Sequence, residues 1–244
     1  MINELPVRLW LGWRRLKSIP TESDWEDFKA NLSETFIPAT WEFMKEYKLQ
    51  TYVPSIFHAS GDRGNPEEVA LLCYLSKEDY DKSKMHFMGR SYRIMHQAIF
   101  NFDGADRVST AKWCGPVGSE GPQIKKAKNG CIRFSDPNAS IHVLMLSTPT
   151  NCLSSNQLFD ALSNHHGDVA IWQKENFIIV WIASPRIFNE SEIGEQFYQL
   201  LIYSCATLVA FHSAEKFSFP VDPHIGIPKK ENKSWHFFRR LDQN

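Results

Sequence analysis

The contrast between apolar and polar positions is sharpest over residues 67–100. Residues 69–75 form an unbroken apolar run whose length predicts a strand buried on both faces. Ser76, with Asp79 three residues on, predicts a helix start: a hydroxyl for an orphan backbone N–H and a carboxylate at the positive helix end. From there Met85, Met88, Tyr92, Met95 and Ile99 recur at steps of three and four, which predicts one inward stripe on one long helix. His86, Arg90, Arg93 and Gln97 share a second face. That face reads either as solvated charge or as a group gathered around an anion or carbonyl.

Before this core, residues 5–15 read as a strand with Leu9, Leu11 and Trp13 on one face and Arg8, Trp10 and Arg14 on the other. Ser23 and Glu26 open a helix containing Trp25, Phe28 and Leu32. Pro38 must kink or split it, because proline lacks a donor and crowds the preceding turn. A second piece is expected over residues 39–47. Residues 49–59 form another strand, with Tyr52, Ile56 and His58 on one side and Val53 and Phe57 on the other. Pro54 argues for an edge position or a bulge there. A short strand over 107–113 completes the order strand, helix, strand, strand, helix, strand, which is the split plan of the ferredoxin-like fold.

Residues 114–131 replace apolar periodicity with glycine, proline and lysine, and read as a linker or exposed loop. The plan then repeats. A strand over 141–146 is followed by a helix over 155–165, with Leu158, Phe159 and Leu162 inward and Gly167 as its stop. Residues 169–173 and 177–183 predict a hairpin closed by Lys174, Glu175 and Asn176. Asn189 and Glu192 cap an expected long helix through 213, and 235–239 would be the returning strand. The expected architecture is therefore α+β: two tandem ferredoxin-like (βαββαβ) units, 1–113 and 132–244, joined by 114–131.

Composition narrows the partners. Of 244 residues, 43% are hydrophobic and 13% aromatic, enough to build a core and too apolar for a disordered chain. A net charge of −1 gives no reason to expect nucleic acid. Five cysteines, an odd number without a CxxC pair, fit reduced thiols better than a disulfide framework. The first fifteen residues lack a signal-peptide core, and the most apolar helical stretch, 197–211, is too short to span a bilayer. The expectation is a cytoplasmic protein with no membrane span.

Chemistry-bearing residues are sparse. His165 and His166 at an expected helix end are accounted for by the helix dipole, and no HExxH or further ligand accompanies them, so no metal is expected. Gly115, Gly118 and Gly121 lack the GK[ST] ending of a phosphate loop, and no GxSxG elbow is present. The stretch KKENKSWHFFRRL, 229–241, reads as a basic-ended strand or as a nucleic-acid or membrane contact. His96 reads as a satisfied, half-buried histidine. His58 either closes a strand face or serves as a general base, since imidazole titrates near neutrality. On the second reading Trp10, Arg14, Tyr52 and Arg90 bind the ligand, with Arg14 or Arg90 holding an oxyanion or carboxylate.

The segments RLWLGWRRL, YVPSIFHA, EEVALLCYL and GRSYRIMHQAIF carry a resemblance of element order and strand character across residues 5–113. They resemble the dimeric α+β barrel superfamily, which includes the antibiotic-biosynthesis monooxygenase-like proteins. No catalytic residue is matched. The resemblance implies two ferredoxin-like sheets packed as a barrel, here within one chain or in a homodimer. It also implies functions ranging from cofactor-independent oxygenases, haem-degrading enzymes and isomerases to proteins without chemistry. Two expectations follow. The first is a small-molecule-binding protein without cofactor, with oxygenase or isomerase activity. The second is a non-catalytic interaction protein, such as an immunity, toxin-operon or secretion accessory factor, because tryptophan and phenylalanine are abundant and also favour interfaces.

Overall fold

The structure is a computed structural model that describes residues 5–15, 23–57, 64–104, 107–127, 131–149, 152–162, 167–214 and 217–218. His58, the pair His165 and His166, and the expected strand 235–239 lie outside the described residues. The chain falls into two compact units. One holds the described residues up to Ala111 with the pair 217–218, and the other holds those from Lys112 to 214.

The first unit runs β1 (Val7–Gly12), α1 (Ser23–Asn31), a π-helical stretch (Leu32–Phe36), α2 (Ile37–Lys45), β2 (Leu49–Ile56), β3 (Glu68–Tyr74), α3 (Lys77–Met85), α4 (Phe87–Ile99) and β4 (Thr110–Trp113). The boundary between the units passes through β4. The second unit continues with β5 (Gly115–Pro116), β6 (Gln123–Lys125), β7 (Ser140–Ser147), α5 (Ser155–Ala161), β8 (Val169–Gln173), β9 (Phe177–Ser184), a 3-10 turn (Glu190–Glu192), α6 (Glu195–Tyr203) and β10 (Thr207–Ala214). The pair Phe217–Ser218, β11, joins the edge of the first sheet. The sheet orders are β11-β2-β3-β1-β4 and β10-β7-β9-β8-β6-β5. Within each unit the four main strands lie in the order fourth, first, third, second.

The organising strand is as apolar as its surroundings require. All seven residues of β3 are buried, between antiparallel β1 and β2. Pro54 in β2 pairs with Ala70 of β3, while β11 on the other side reaches only Thr51 and Tyr52. The missing N–H of Pro54 therefore interrupts no ladder among the described residues. Pro38 occupies the first turn of α2, where a backbone donor is dispensable, and the π-helical stretch immediately before it absorbs the irregularity.

Three expectations are corrected at the level of elements. The helix predicted as one piece after Ser76 is two. Ser76 does cap α3, its hydroxyl accepting from the Asp79 N–H at 3.0 Å. His86 then takes an extended conformation, φ −77° and ψ 150°, and its Nδ1 accepts from the Met88 N–H at the start of α4. Gly89 makes the corner possible, since a Cβ there would run into the Ser83 carbonyl oxygen. The break turns Met85 and Met88 to solvent, leaving only the later stripe positions Tyr92, Met95 and Ile99 half-buried.

The second correction is the helix expected over 189–213. The Asn189–Glu192 capping pair forms, but around a 3-10 turn. Helix α6 ends at Tyr203, with Cys205 at φ 51° and Ala206 N–H bonded to the Leu201 carbonyl. The residues after it carry threonine, valine and phenylalanine and pair with β7 as β10. The third correction lies in 114–131: its β5 and β6 are strands of the second sheet, with β6 antiparallel to β8. The hairpin β8–β9 and the short helix α5 form as expected, α5 capped by Ser154 and Gln157 with Leu158, Phe159 and Leu162 buried. Those three side chains, with Leu144, Ile171, Val180, Ile182 and Phe197, fill the core of the second unit.

Candidate functional site

Strand alternation in the first unit sorts two sets of side chains. Val7, Leu9 and Leu11 of β1, with Val69, Leu71 and Cys73 of β3, share one buried face. Arg8 and Trp10, with Glu68, Ala70, Leu72 and Tyr74, share the other, joined by Tyr52 of β2. Between this second face and the helices α2, α3 and α4 lies a cavity of about 370 Å³. Ala70 is the smallest side chain of the sheet face that lines it. It stands opposite Trp10 on one side and Pro54 on the other, and puts a single methyl where larger side chains would fill the floor.

The walls are largely aromatic. Phe36, Phe43, Tyr80, Tyr92 and Phe102 close over Trp10, Tyr52 and Tyr74. Aromatic walls with a few fixed polar groups are the usual construction of a small-molecule site. The polar groups here are specific. The Trp10 indole N–H donates to Glu68 Oε2. Glu68 Oε1 meets no hydrogen-bond partner, although the residue is 0% exposed. Burial raises the Glu68 carboxyl to about 8, only partly offset by the indole bond. Tyr92 O–H donates to Thr40 Oγ1 at 2.9 Å, and Thr40 O–H donates to the Phe36 carbonyl at 2.7 Å. Burial also pushes the phenols of Tyr52, Tyr74 and Tyr92 upward, so they remain neutral donors.

His96 sits one helical turn beyond Tyr92. Its Nδ1 lies 2.8 Å from the Tyr92 carbonyl oxygen, which can only accept, so Nδ1 carries the proton and Nε2 the lone pair. Burial lowers this imidazole to about 4. The ring lies edge-on to Trp10, Phe36 and Tyr92, with centroids 5.5, 4.5 and 4.2 Å away. Arg8 lies over the Tyr80 ring at 4.1 Å.

Of the residues singled out from the sequence, Trp10 and Tyr52 line this cavity. Arg14 does not. It bridges to Phe100, its Nε lies 2.8 Å from Glu67 Oε1, and its backbone N–H donates to Glu67 Oε2 at 2.7 Å. Arg90 is on the exposed side of α4 and is absent from the lining, whereas Arg93 is part of it. His58 lies outside the described residues. Glu68, Tyr92 and His96 also line the cavity and are not among the ligand-binding residues expected from the sequence. Period-two counting back from Tyr74 through Leu72 and Ala70 reaches Glu68, and i to i+4 spacing links Tyr92 to His96. Both signals were present, but nothing marked the cavity toward which they point. Among the described residues there is no cluster of three or more His, Cys, Asp or Glu side chains placed to hold a metal, and no helix long and apolar enough to cross a membrane.

No family model matches the chain, and no curated protein matches it. Two solved structures are similar to it at low score. One is an anthrone oxidase-like protein, 10% identical, covering 90% of this chain and 95% of its own, with a TM-score of 0.43. The other is a candidate monooxygenase from Lactobacillus acidophilus NCFM, 7% identical, covering 86% of this chain and 92% of its own, with a TM-score of 0.36. Neither supplies a residue role.

Proposed function

We propose that this chain is a small-molecule-binding α+β protein of two tandem ferredoxin-like units, and that the first unit holds the ligand. Three features support the two-unit reading: the repeated element order, the shared strand order and the antiparallel pairing of β1, β2 and β3 and of β7, β8 and β9. The ligand reading rests on one observation above the rest. A cavity of about 370 Å³, walled by aromatic rings, is lined by a residue whose buried carboxyl oxygen has no partner among the described residues. The fitting ligand is a compact, mostly apolar ring compound. The superfamily resemblance adds cofactor-independent oxygenation or isomerisation as the chemistry. Either would draw on Glu68 and His96, two groups whose environments push their proton affinities apart from their ordinary values. Packing of the two sheets as a barrel, within the chain or across a homodimer, belongs to the same proposal.

The test is a titration of bicyclic ring compounds into the full chain, followed by calorimetry, with Ala70→Leu and Ala70→Phe as cavity-filling variants. Saturable binding of one molecule per chain, weakened by leucine and abolished by phenylalanine, is the expected result. Affinity unchanged in both folded variants would remove the cavity from the function.

The rival reading, a non-catalytic interaction protein, is favoured by a separate observation. Met85, Phe87, Met88 and Ile94 leave apolar side chains exposed along α3 and α4. It predicts that Phe87→Ser with Ile94→Ser abolishes capture of a protein partner while leaving ring-compound binding unaltered.

A further inference from the structure

Glu68 stands in the wall of the cavity with half of its hydrogen bonding unmet. Oε2 already receives the Trp10 indole N–H. Oε1 is buried, belongs to a residue of the cavity lining and has no partner among the described residues. A buried polar atom left in that condition is costly, and natural proteins rarely keep one without a use for it. The proton of the neutral carboxyl belongs on Oε1, because Oε2 is engaged as an acceptor. What Oε1–H lacks is therefore an acceptor, and a ligand oxygen is the group that would supply it.

The character of that oxygen follows from its surroundings. The floor and walls nearest Glu68 are the Trp10 indole and the phenols of Tyr52 and Tyr92, with Ala70 leaving the open volume. Beside Glu68 an ionised ligand group would be stripped of water, and what acts on this carboxyl is burial and the Trp10 indole, while the lining's Arg8 lies over the Tyr80 ring. An uncharged carbonyl loses little on entry and gains the bond.

We propose that Glu68 is the specificity-determining contact of this cavity, a neutral carboxylic acid whose Oε1–H donates to the uncharged carbonyl oxygen of a ring-bearing ketone, with Trp10 fixing the orientation of the carboxyl. The proposal rests on the reading that the cavity is the ligand site, and deepens it by naming the ligand class. No covalent step is involved.

Other titratable groups face the cavity from every element around it. Tyr52 of β2, Tyr74 of β3 and Tyr92 of α4 are all raised above the ordinary phenol range, and His96 of α4 is lowered to about 4. Tyr80 and Lys84 of α3, Arg8 of β1 and Arg93 of α4 complete the set.

The experiment compares 1-indanone with indane, its counterpart lacking the oxygen, by calorimetry on the full chain. At pH 7 the ketone is expected to bind about tenfold more tightly. Glu68→Gln, which keeps an N–H donor in the same place, should retain most of that preference, and Glu68→Leu should lose it. Raising the pH from 7 to 9 should weaken the ketone several-fold in the natural chain, leave indane unchanged, and leave the ketone unchanged in Glu68→Gln. Equal binding of ketone and hydrocarbon, both displaced by filling at Ala70, would overturn the role of Glu68 while preserving the cavity reading. Binding of neither compound would overturn the cavity reading, and the inference with it. Should Glu68→Leu fail to fold, the pH response of the natural chain against Glu68→Gln decides: identical profiles overturn the proposal.

Discussion

Glu68 and His96 give the first unit opposite pH slopes. A carboxyl raised to about 8 holds a proton in the folded state that the unfolded chain releases near its ordinary value, so its contribution to stability falls as pH rises between those limits. An imidazole lowered to about 4 is the reverse: the unfolded chain takes up a proton that the folded state refuses, so stability falls as pH drops below the ordinary imidazole value. Between roughly pH 4.5 and 6.5 the two slopes cancel. Above 6.5 only the Glu68 slope remains, at about 1.4 kcal/mol per pH unit up to about 8. Urea unfolding across pH should show this loss, and Glu68→Gln should flatten it above pH 6.5. A variant as pH-sensitive as the natural chain would show that this carboxyl is not buried in protonated form. A glutamate at the head of an apolar run looks like a polar boundary, and only strand register turns it into a cavity group. From the sequence alone His96 is a half-buried, satisfied histidine. The first description fits its burial, and its Nδ1 is satisfied, but Nε2 keeps a lone pair inside a cavity that sequence periodicity does not display.

Among the elements, local signals marked starts better than stops. Ser76 with Asp79 caps α3, because a side-chain acceptor and an orphan N–H are encoded within four residues. The split at His86 was not legible, because the spacing of Met85, Met88 and Tyr92 continues across it unbroken. The reason for the split is a close approach in three dimensions, at Gly89. Gly89→Ala is expected to destabilise the chain by about 1–3 kcal/mol, through collision with the Ser83 carbonyl. Denaturant unfolding measures it, and unchanged stability would mean that α3 and α4 do not meet at this corner. The end of α6 has a different origin. Cys205 stands at φ 51°, a region that glycine occupies without strain. Cys205→Gly should therefore raise the unfolding midpoint, by a contribution of about 1 kcal/mol. A lowered midpoint would contradict this helix stop. Misreading 204–213 as helix came from its apolar character, which suits either element. Pairing with β7 decides, and that pairing is invisible along the chain.

At the level of the molecule, element order carried most of what could be read. The strand, helix, strand, strand, helix, strand sequence appears twice, and each repeat lays its strands fourth, first, third, second. Hydrophobic period identifies strands, but long-range hydrogen bonding places β6 beside β8 and β11 beside β2. Short, polar, glycine-rich segments such as 114–127 give no periodic signal for such pairings. The site shows the same division. Two of the residues lining the cavity, Trp10 and Tyr52, share strand faces legible in the sequence, whereas the open space between sheet and helices is not written in any periodicity.

A crystal structure of the full chain grown with 1-indanone tests the account most directly. Ketone density is expected between the Trp10–Glu68–Tyr52 face and α4, with the carbonyl oxygen at hydrogen-bond distance, about 2.6–3.0 Å, from Glu68 Oε1. Side chains filling that volume, or the ketone bound elsewhere with Glu68 paired to another protein group, would contradict it.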